Sequence, residues 1–420
     1  QTPVTNLVHD RVVFFVSDYN RDMESANCAC RSVREQLERP VDVRPVVLTH
    51  ESVLTYVEAL ALPHLAGAQL VVTDSSTGNL NYCFVVAAPS GAPSVFVKQA
   101  PDFVRCLGED AKLTTDRIRI EVSAALEFME LAPGFIPELF HFDPASCVVV
   151  MEYLNSYTLL QDRLLCGEVS SGPAVAVAQF MAKIHAPTFG STQYSGFTNE
   201  HLCGITSTYV FTLPFTEHET NSNMPELDVI VCEIRSDEAL LSGIRASHEL
   251  FLNKKEALIH GDLHAGSVMT DGNDAKVIDH EFSFFGPAGF DLGLFLAGYT
   301  FPYASARAHG DADKAAAIVQ AMTGCVAEYK RLMVPDAFSV IWRDSLGFMG
   351  CELLRRVLGV AKRADLEAIT DDRVKFVASS IVCRVGREVI LSGFGGSGLA
   401  NMRQLLDLFD ATSSAVIASA

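Results

Sequence analysis

Leu258-Ile259-His260-Gly261-Asp262-Leu263-His264-Ala265-Gly266-Ser267 is the stretch on which the reading of this chain turns. An apolar run long enough for a short strand feeds a polar turn that holds Asp262. A little further on, Val277-Ile278-Asp279-His280-Glu281-Phe282 repeats the pattern of a strand ending in carboxylates. Phosphoryl transfer divides its work among carboxylates in this way: one accepts a hydroxyl proton, others hold Mg²⁺ against the phosphates. Asp279 and Glu281 stand two apart, so a strand continued through them projects both to one face, toward one hard cation. Asp262 taken alone reads equally well as a turn residue bonding its own backbone. Its pairing with the second strand-to-carboxylate pattern is what favours chemistry.

Composition narrows the class further. The chain has 420 residues, 49% hydrophobic and 20% charged, with positive mean hydropathy, so it has a sizeable core and is not wholly disordered. Acidic residues outnumber basic ones by 51 to 32, a net charge of −19. A surface so negative repels phosphate backbones and anionic lipid, which argues against nucleic-acid and membrane roles. An anionic nucleotide then depends on a few well-placed cations. No apolar run reaches the ~18 residues of a spanning helix, and Phe290–Tyr303, the nearest, carries Asp291. The 11 cysteines lack paired CxxC spacing, so reduced thiols are expected and structural zinc is not. No signal-peptide pattern is read from Gln1, and the expected compartment is the cytoplasm.

Upstream of the Asp262 stretch, Leu70–Val72, Tyr82–Val86, Ser94–Lys98 and Cys147–Glu152 are short β-rich runs, and Thr114–Glu130 has helical spacing. Thr49-His50-Glu51-Ser52 opens a helix reaching about Ala61. Downstream, apolar residues recur at helical spacing in Ala174–His185, Asp237–Asn253, Ala312–Leu332, Phe338–Lys362 and Asp371–Leu391, with a short strand at Ala275–Ile278. The apolar run Val12–Val16 and the polar, helix-compatible Met23–Arg39 carry no evident role. The expected class is α+β: an N-terminal extension (1–48), a small β-rich lobe (49–154) and a larger, mainly helical lobe (155–420).

His260-Gly261-Asp262-Leu263-His264 resembles the catalytic loop of the aminoglycoside phosphotransferase and choline kinase group. The longer run to Ser267, together with Ile278 through Asp291, is similar to the methylthioribose kinase family in particular. That family carries serine where related kinases have a metal-binding asparagine, here Ser267, and Asp-x-Glu in place of Asp-Phe-Gly, here Asp279-His280-Glu281. The similarity covers roughly 49–395 and includes a family-specific stretch, Phe197–Asp228. Three positions depart from the pattern: Thr77 for an acidic residue, Thr220 for an arginine and His280 for a proline.

The resemblance implies a protein-kinase-like two-lobe fold that uses ATP and Mg²⁺ to phosphorylate the 1-hydroxyl of methylthioribose in methionine salvage, as a homodimer. It implies a glycine loop at Thr77-Gly78-Asn79-Leu80-Asn81, with Gly78 and Asn79 over the phosphates. Lys98 is then the phosphate lysine, Glu121 its helix partner, and Met151, Glu152 and Tyr153 the hinge that meets adenine. Asp262 becomes the catalytic base that also binds the sugar hydroxyl, Asp279 and Glu281 the metal ligands, and Arg355 and Arg356 the sugar-binding pair. Asp291 and His264 brace the loop. Plainer readings stand beside these. Gly78 suits a hairpin turn, Lys98 a solvated strand end, Arg117 and Glu121 a surface i,i+4 pair, and the two arginines a pairing with Glu352. A kinase of the same fold acting on choline, an aminoglycoside or another sugar is the alternative, with a silent pseudokinase behind it. No Ala-Pro-Glu segment follows Asp279, which argues against a protein kinase.

Overall fold

A computed structural model describes residues 33–37, 45–74, 80–106, 108–394 and 398–420. The Val12–Val16 run, most of Met23–Arg39, and the glycine-loop residues Thr77, Gly78 and Asn79 lie outside the described residues. Internal contacts divide the chain into two units, Gln1–Met129 with Pro137–Asn155, and Glu130–Ile136 with Ser156–Ala420.

The first unit is built on a five-stranded antiparallel sheet: β1 (Val71–Asp74), β2 (Tyr82–Ala87), β3 (Ser94–Gln99), β4 (Leu139–Asp143) and β5 (Val148–Glu152), in the order β1-β2-β3-β5-β4. The four runs expected to be strands are strands. β4 went unread because it is short and only partly alternating. Phe84, Val86, Val95, Val97, Val148 and Val150 form one buried cluster with Val53 and Val57 of helix α1 (His50–Ala59). Burying each such side chain contributes about 1.5 kcal/mol or more. α1 opens where expected, since the Thr49 hydroxyl accepts the Ser52 N–H and the Ser52 hydroxyl accepts the Thr49 N–H. Because strand side chains alternate, Lys98 faces away from that cluster, in register with Cys83 and Val149. It meets helix α2 (Asp116–Leu131).

The second unit is mostly helical: its helices include α3 (Ser171–Thr188), α4 (Glu200–Thr206), α5 (Glu238–Asn253), α6 (Ala288–His309), α7 (Ala312–Leu332), α8 (Phe338–Leu358), α9 (Asp372–Phe394) and α10 (Met402–Ser419). Small antiparallel strands carry its polar loops. β6 (Thr158–Leu159), β8 (Val268–Thr270) and β9 (Ala275–Val277) form one sheet, and β7 (Ala257–Ile259) pairs with β10 (Phe284–Gly286). The expected α+β class is present. Among the described residues no helix is long and apolar enough to cross a membrane.

α6 and α8 approach closely at two glycines. A Cβ on Gly289 would stand 2.8 Å from the Ile341 carbonyl oxygen, and one on Gly293 2.5 Å from that of Ser345. Phe290 fills the neighbouring space against Phe251 and Phe348, ring centroids 4.8 and 5.2 Å apart. This packing sets Asp291, in the first turn of α6, and Arg355 and Arg356, in the last turn of α8. α8 stops at Leu358, short of the expected Lys362, because Gly359 leaves helical backbone angles at φ −92, ψ −171.

Candidate active site

Four polar groups shape the turn that presents Asp262. Gly261 sits at φ 83, and a Cβ there would lie 2.2 Å from the Phe282 carbonyl oxygen, so only glycine fits. Asp291, fully buried, accepts the His260 N–H (2.7 Å) and the Gly261 N–H (2.9 Å), with His185 Nε2 at 3.2 Å. This is the expected bracing, and the first turn of a helix favours a negative charge there. His260 Nδ1 accepts the Asp262 N–H at 3.2 Å, so its ring proton sits on Nε2 and is donated to the Ile278 carbonyl at 2.9 Å. Ser267 closes the loop. Its hydroxyl accepts the His264 N–H at 2.9 Å and has its own proton for the carbonyl of Asp262 (3.0 Å) or of His264 (2.9 Å). Ser267 is thus a loop fastener.

The Asp262 carboxylate is half-buried, with His264 Nε2 3.6 Å from Oδ2. His264 Nδ1 accepts the Gly266 N–H, which leaves the proton on Nε2, toward Asp262. Burial pushes the Asp262 pKa up. The hydrogen bond and electrostatic pull of the His264 Nε2–H, then the guanidinium groups of Arg355 and Arg356, outweigh burial and hold the carboxyl far below the usual carboxylate range.

The turn bearing Asp279 and Glu281 corrects one expectation. The strand does not continue through them: β9 ends at Val277, Asp279 adopts the left-handed conformation (φ 63, ψ 55), and His280–Phe282 form a 3₁₀ turn. Alternation requires extended backbone, so the same-face argument lapses. Asp279 is exposed and Glu281 buried. Both remain on one short turn, which is fastened to the Asp262 loop by the His260–Ile278 bond and by the Ser283 hydroxyl, 3.2 Å from the His260 carbonyl. His280 packs edge-on against the His260 ring at 5.3 Å. No group of three or more His, Cys, Asp or Glu that could hold a metal occurs among the described residues. Two carboxylates nonetheless suit Mg²⁺ at a nucleotide, where phosphate oxygens and water complete the shell.

Arg355 and Arg356 converge on buried Glu352, which accepts Arg355 Nε at 2.5 Å and Arg356 Nε at 2.6 Å. The pairing with Glu352 therefore exists on the Nε side of both. No hydrogen bond from their terminal amino groups occurs among the described residues. Burial raises the Glu352 pKa, but the two arginine charges pull it below its ordinary value. Nearby in sequence, Arg363 pairs with buried Asp365 at 2.9 Å and lies 5.4 Å from the centroid of the Phe301 ring.

In the first unit, Lys98 Nζ lies 2.9 Å from Glu121 Oε1. The solvated-lysine reading falls, because Lys98 is buried. The surface Arg117–Glu121 reading falls as well. Arg117 is 0% exposed and donates to Asn81 Oδ1 (3.0 Å) and to the carbonyls of Pro101 (2.9 Å) and Thr114 (2.5 Å). It thereby fixes Asn81, in the expected glycine-loop stretch. Met151 and Glu152 end β5, paired with β3, and Tyr153 follows; all three are half-buried. The Glu152 N–H donates to the Glu138 carbonyl at 2.8 Å.

Sequence reasoning missed three elements here: Arg117 as a loop anchor, the Arg363–Asp365 pair, and Asn199, whose Nδ2 donates to the carbonyls of Glu281 and Ser283. The only signal for Asn199 was a polar residue at a helix start, which ordinarily means a cap.

A family described as "Phosphotransferase enzyme family" matches residues 144–331. A methylthioribose kinase of Yersinia enterocolitica is 33% identical over 77% of this chain and 89% of its own length. One from Bacillus velezensis is 34% identical over 73% and 83%. Among solved structures, a choline/ethanolamine kinase family protein from Mesorhizobium loti overlaps 85% of this chain and 98% of its own, at 16% identity and a TM-score of 0.42. That overlap is too loose to bear on function.

Proposed function

This chain belongs to the methylthioribose kinase family, and from that premise we propose that it transfers the γ-phosphoryl group of ATP to the 1-hydroxyl of 5-methylthioribose, a step of methionine salvage. In the reaction the sugar hydroxyl oxygen bonds to the γ-phosphorus, the bond to the β–γ bridging oxygen breaks, ADP leaves, and the hydroxyl proton passes to Asp262. A carboxylate with so low a pKa is a weak proton acceptor at the outset. Its first task is to orient the hydroxyl, and the proton moves late, as a loose transition state allows.

Arg355 and Arg356 are the assigned sugar ligands. Glu352 holds their Nε groups and so sets the direction of the terminal amino groups, which suit hydroxyl or phosphoryl oxygens. Lys98, steadied by Glu121, is assigned to the α- and β-phosphates, Gly78 and Asn79 to the glycine loop, and Met151, Glu152 and Tyr153 to adenine. Asp279 and Glu281 are the assigned ligands of Mg²⁺, which when bound neutralises charge on the phosphates. We also propose a cytoplasmic homodimer. The nine cysteines among the described residues are all free, as reduced thiols are.

One observation carries the reading. The Asp262 loop is tied to the Asp279–Glu281 turn through His260, whose Nδ1 accepts the Asp262 N–H and whose Nε2 donates to the Ile278 carbonyl. The test is ADP release, by coupled assay with ATP and Mg²⁺, across 5-methylthioribose, ribose, choline and an aminoglycoside. Saturable turnover confined to 5-methylthioribose is expected. Preferred turnover of any other acceptor rejects the substrate assignment.

A further inference from the structure

Asn199 immediately precedes α4 and occupies its N-cap position at φ −147, ψ 58, yet its side chain makes no cap hydrogen bond. Asparagine is among the best capping residues because its side-chain oxygen accepts an N–H of the first turn, a contact worth about 1 kcal/mol. Here that contact is forgone. The side chain is buried, at 4% exposure, and its amide points the other way. Nδ2 donates to the Glu281 carbonyl at 2.9 Å and to the Ser283 carbonyl at 3.2 Å. Both partners are acceptors only, so the amide has one permitted orientation: flipped, Oδ1 would face two carbonyl oxygens.

The two carbonyls belong to the turn that follows left-handed Asp279 and carries Glu281. A non-glycine residue in that conformation costs about 1 kcal/mol or more and persists only where its surroundings fix it. Asn199 supplies two of those constraints. Backbone contact from the same segment reinforces it, since the Phe285 N–H donates to the Phe197 carbonyl at 2.8 Å. Ser283 in turn reaches the His260 carbonyl with its hydroxyl, so the constraint extends to the loop that presents Asp262.

We infer that Asn199 is a positioning residue for the metal site: by clamping the carbonyls of Glu281 and Ser283 it fixes the turn that aims Asp279 and Glu281 at the cation. This rests on the reading of those two carboxylates as the metal ligands. Outer-shell partners of metal ligands typically change affinity by 10–100-fold when replaced. Asn199→Asp keeps the shape but sets a carboxylate against two carbonyl oxygens, so it is the harsher change. Asn199→Ala removes the donors without adding charge.

The experiment measures Mn²⁺ affinity by electron paramagnetic resonance in the presence of ADP, for the full-length chain and its variants, with the KM for 5-methylthioribose alongside. Both Asn199 variants should bind Mn²⁺ about tenfold more weakly or worse, Asn199→Asp the weaker, with the sugar KM little changed. Should Asn199→Asp fail to fold, Asn199→Ala decides alone. A folded Asn199→Ala with native Mn²⁺ affinity overturns the inference, as does an equal loss of sugar affinity, which marks general damage. Glu281→Gln and Asp279→Asn are measured in parallel. If these also bind Mn²⁺ normally, the ligand assignment itself has failed; if only they lose it, the clamp alone is rejected.

Discussion

Lys98 Nζ lies 2.9 Å from Glu121 Oε1, with side-chain exposures of 3% and 5%. A pair this deeply buried is costly to break from one side, because the remaining charge loses its counter-charge in a setting shielded from water. Lys98→Met should therefore destabilise the protein by about 3–5 kcal/mol in urea denaturation. Lys98→Met with Glu121→Leu should recover most of that stability, while MgADP affinity by calorimetry stays weak. Restored nucleotide affinity in the double variant would show that Lys98 serves the fold and not the phosphates.

The depressed pKa of Asp262 fixes a pH dependence. Because its folded pKa lies below the unfolded carboxylate value of about 3.9, the stability it contributes is fully present above that value and is lost as pH falls through the folded one. The rate should thus be insensitive to Asp262 ionisation across neutral and mildly acidic pH. In Arg355→Ala a lowering charge is gone while burial remains, so the acid limb of kcat should move upward. An acid limb in the same place as wild type would mean that the arginine does not act on Asp262.

Glu352 carries two arginines on one carboxylate. Glu352→Gln leaves a buried and a largely buried guanidinium without that charge and should cost about 3 kcal/mol or more of stability. Arg355→Lys is not conservative here, since lysine has no Nε to give to Glu352 while presenting terminal donors outward. It should raise the KM for the sugar roughly tenfold or more with a smaller change in kcat. Steady-state kinetics with varied sugar concentration separates the two.

Gly261→Ala combines a positive φ with a clash against the Phe282 carbonyl, so the backbone of the Asp262 loop has to shift. Displacement of a catalytic group by about 1 Å can cost on the order of a hundredfold. A loss of that size in kcat, with ATP affinity retained, is the expected result of stopped-flow and binding measurements.

The elements that carry the candidate site were legible because apolar runs, turn residues and helical spacing mark them in the sequence. Apolar runs and helical spacing define the elements that carry Asp262, Lys98 and the Arg355–Arg356 pair, while the roles expected of Lys98 and the two arginines came from the family resemblance; the helix Ala312–Leu332 was read to the residue. What escaped was set by contacts distant in sequence. Nothing in Val277–Phe282 announces that Asp279 turns left-handed, because that conformation is fixed by fasteners such as Asn199, far upstream. Arg117 looked like half of a surface pair, since the spacing to Glu121 is visible and the carbonyls of Leu80 and Pro101 that receive its guanidinium are not. The carboxylate–arginine bonds at Glu352 were open to reading because they follow helical spacing. The Arg363–Asp365 pair, at the start of a short helix (Ala364–Glu367) beyond Gly359, was not.

The most direct test compares wild type with Asp262→Ala, measuring ADP release on 5-methylthioribose and ATP affinity on the same samples. Turnover by the variant should fall by about two to four orders of magnitude, the usual contribution of a positioned base, with ATP affinity close to wild type. Undiminished turnover by the variant would contradict the account.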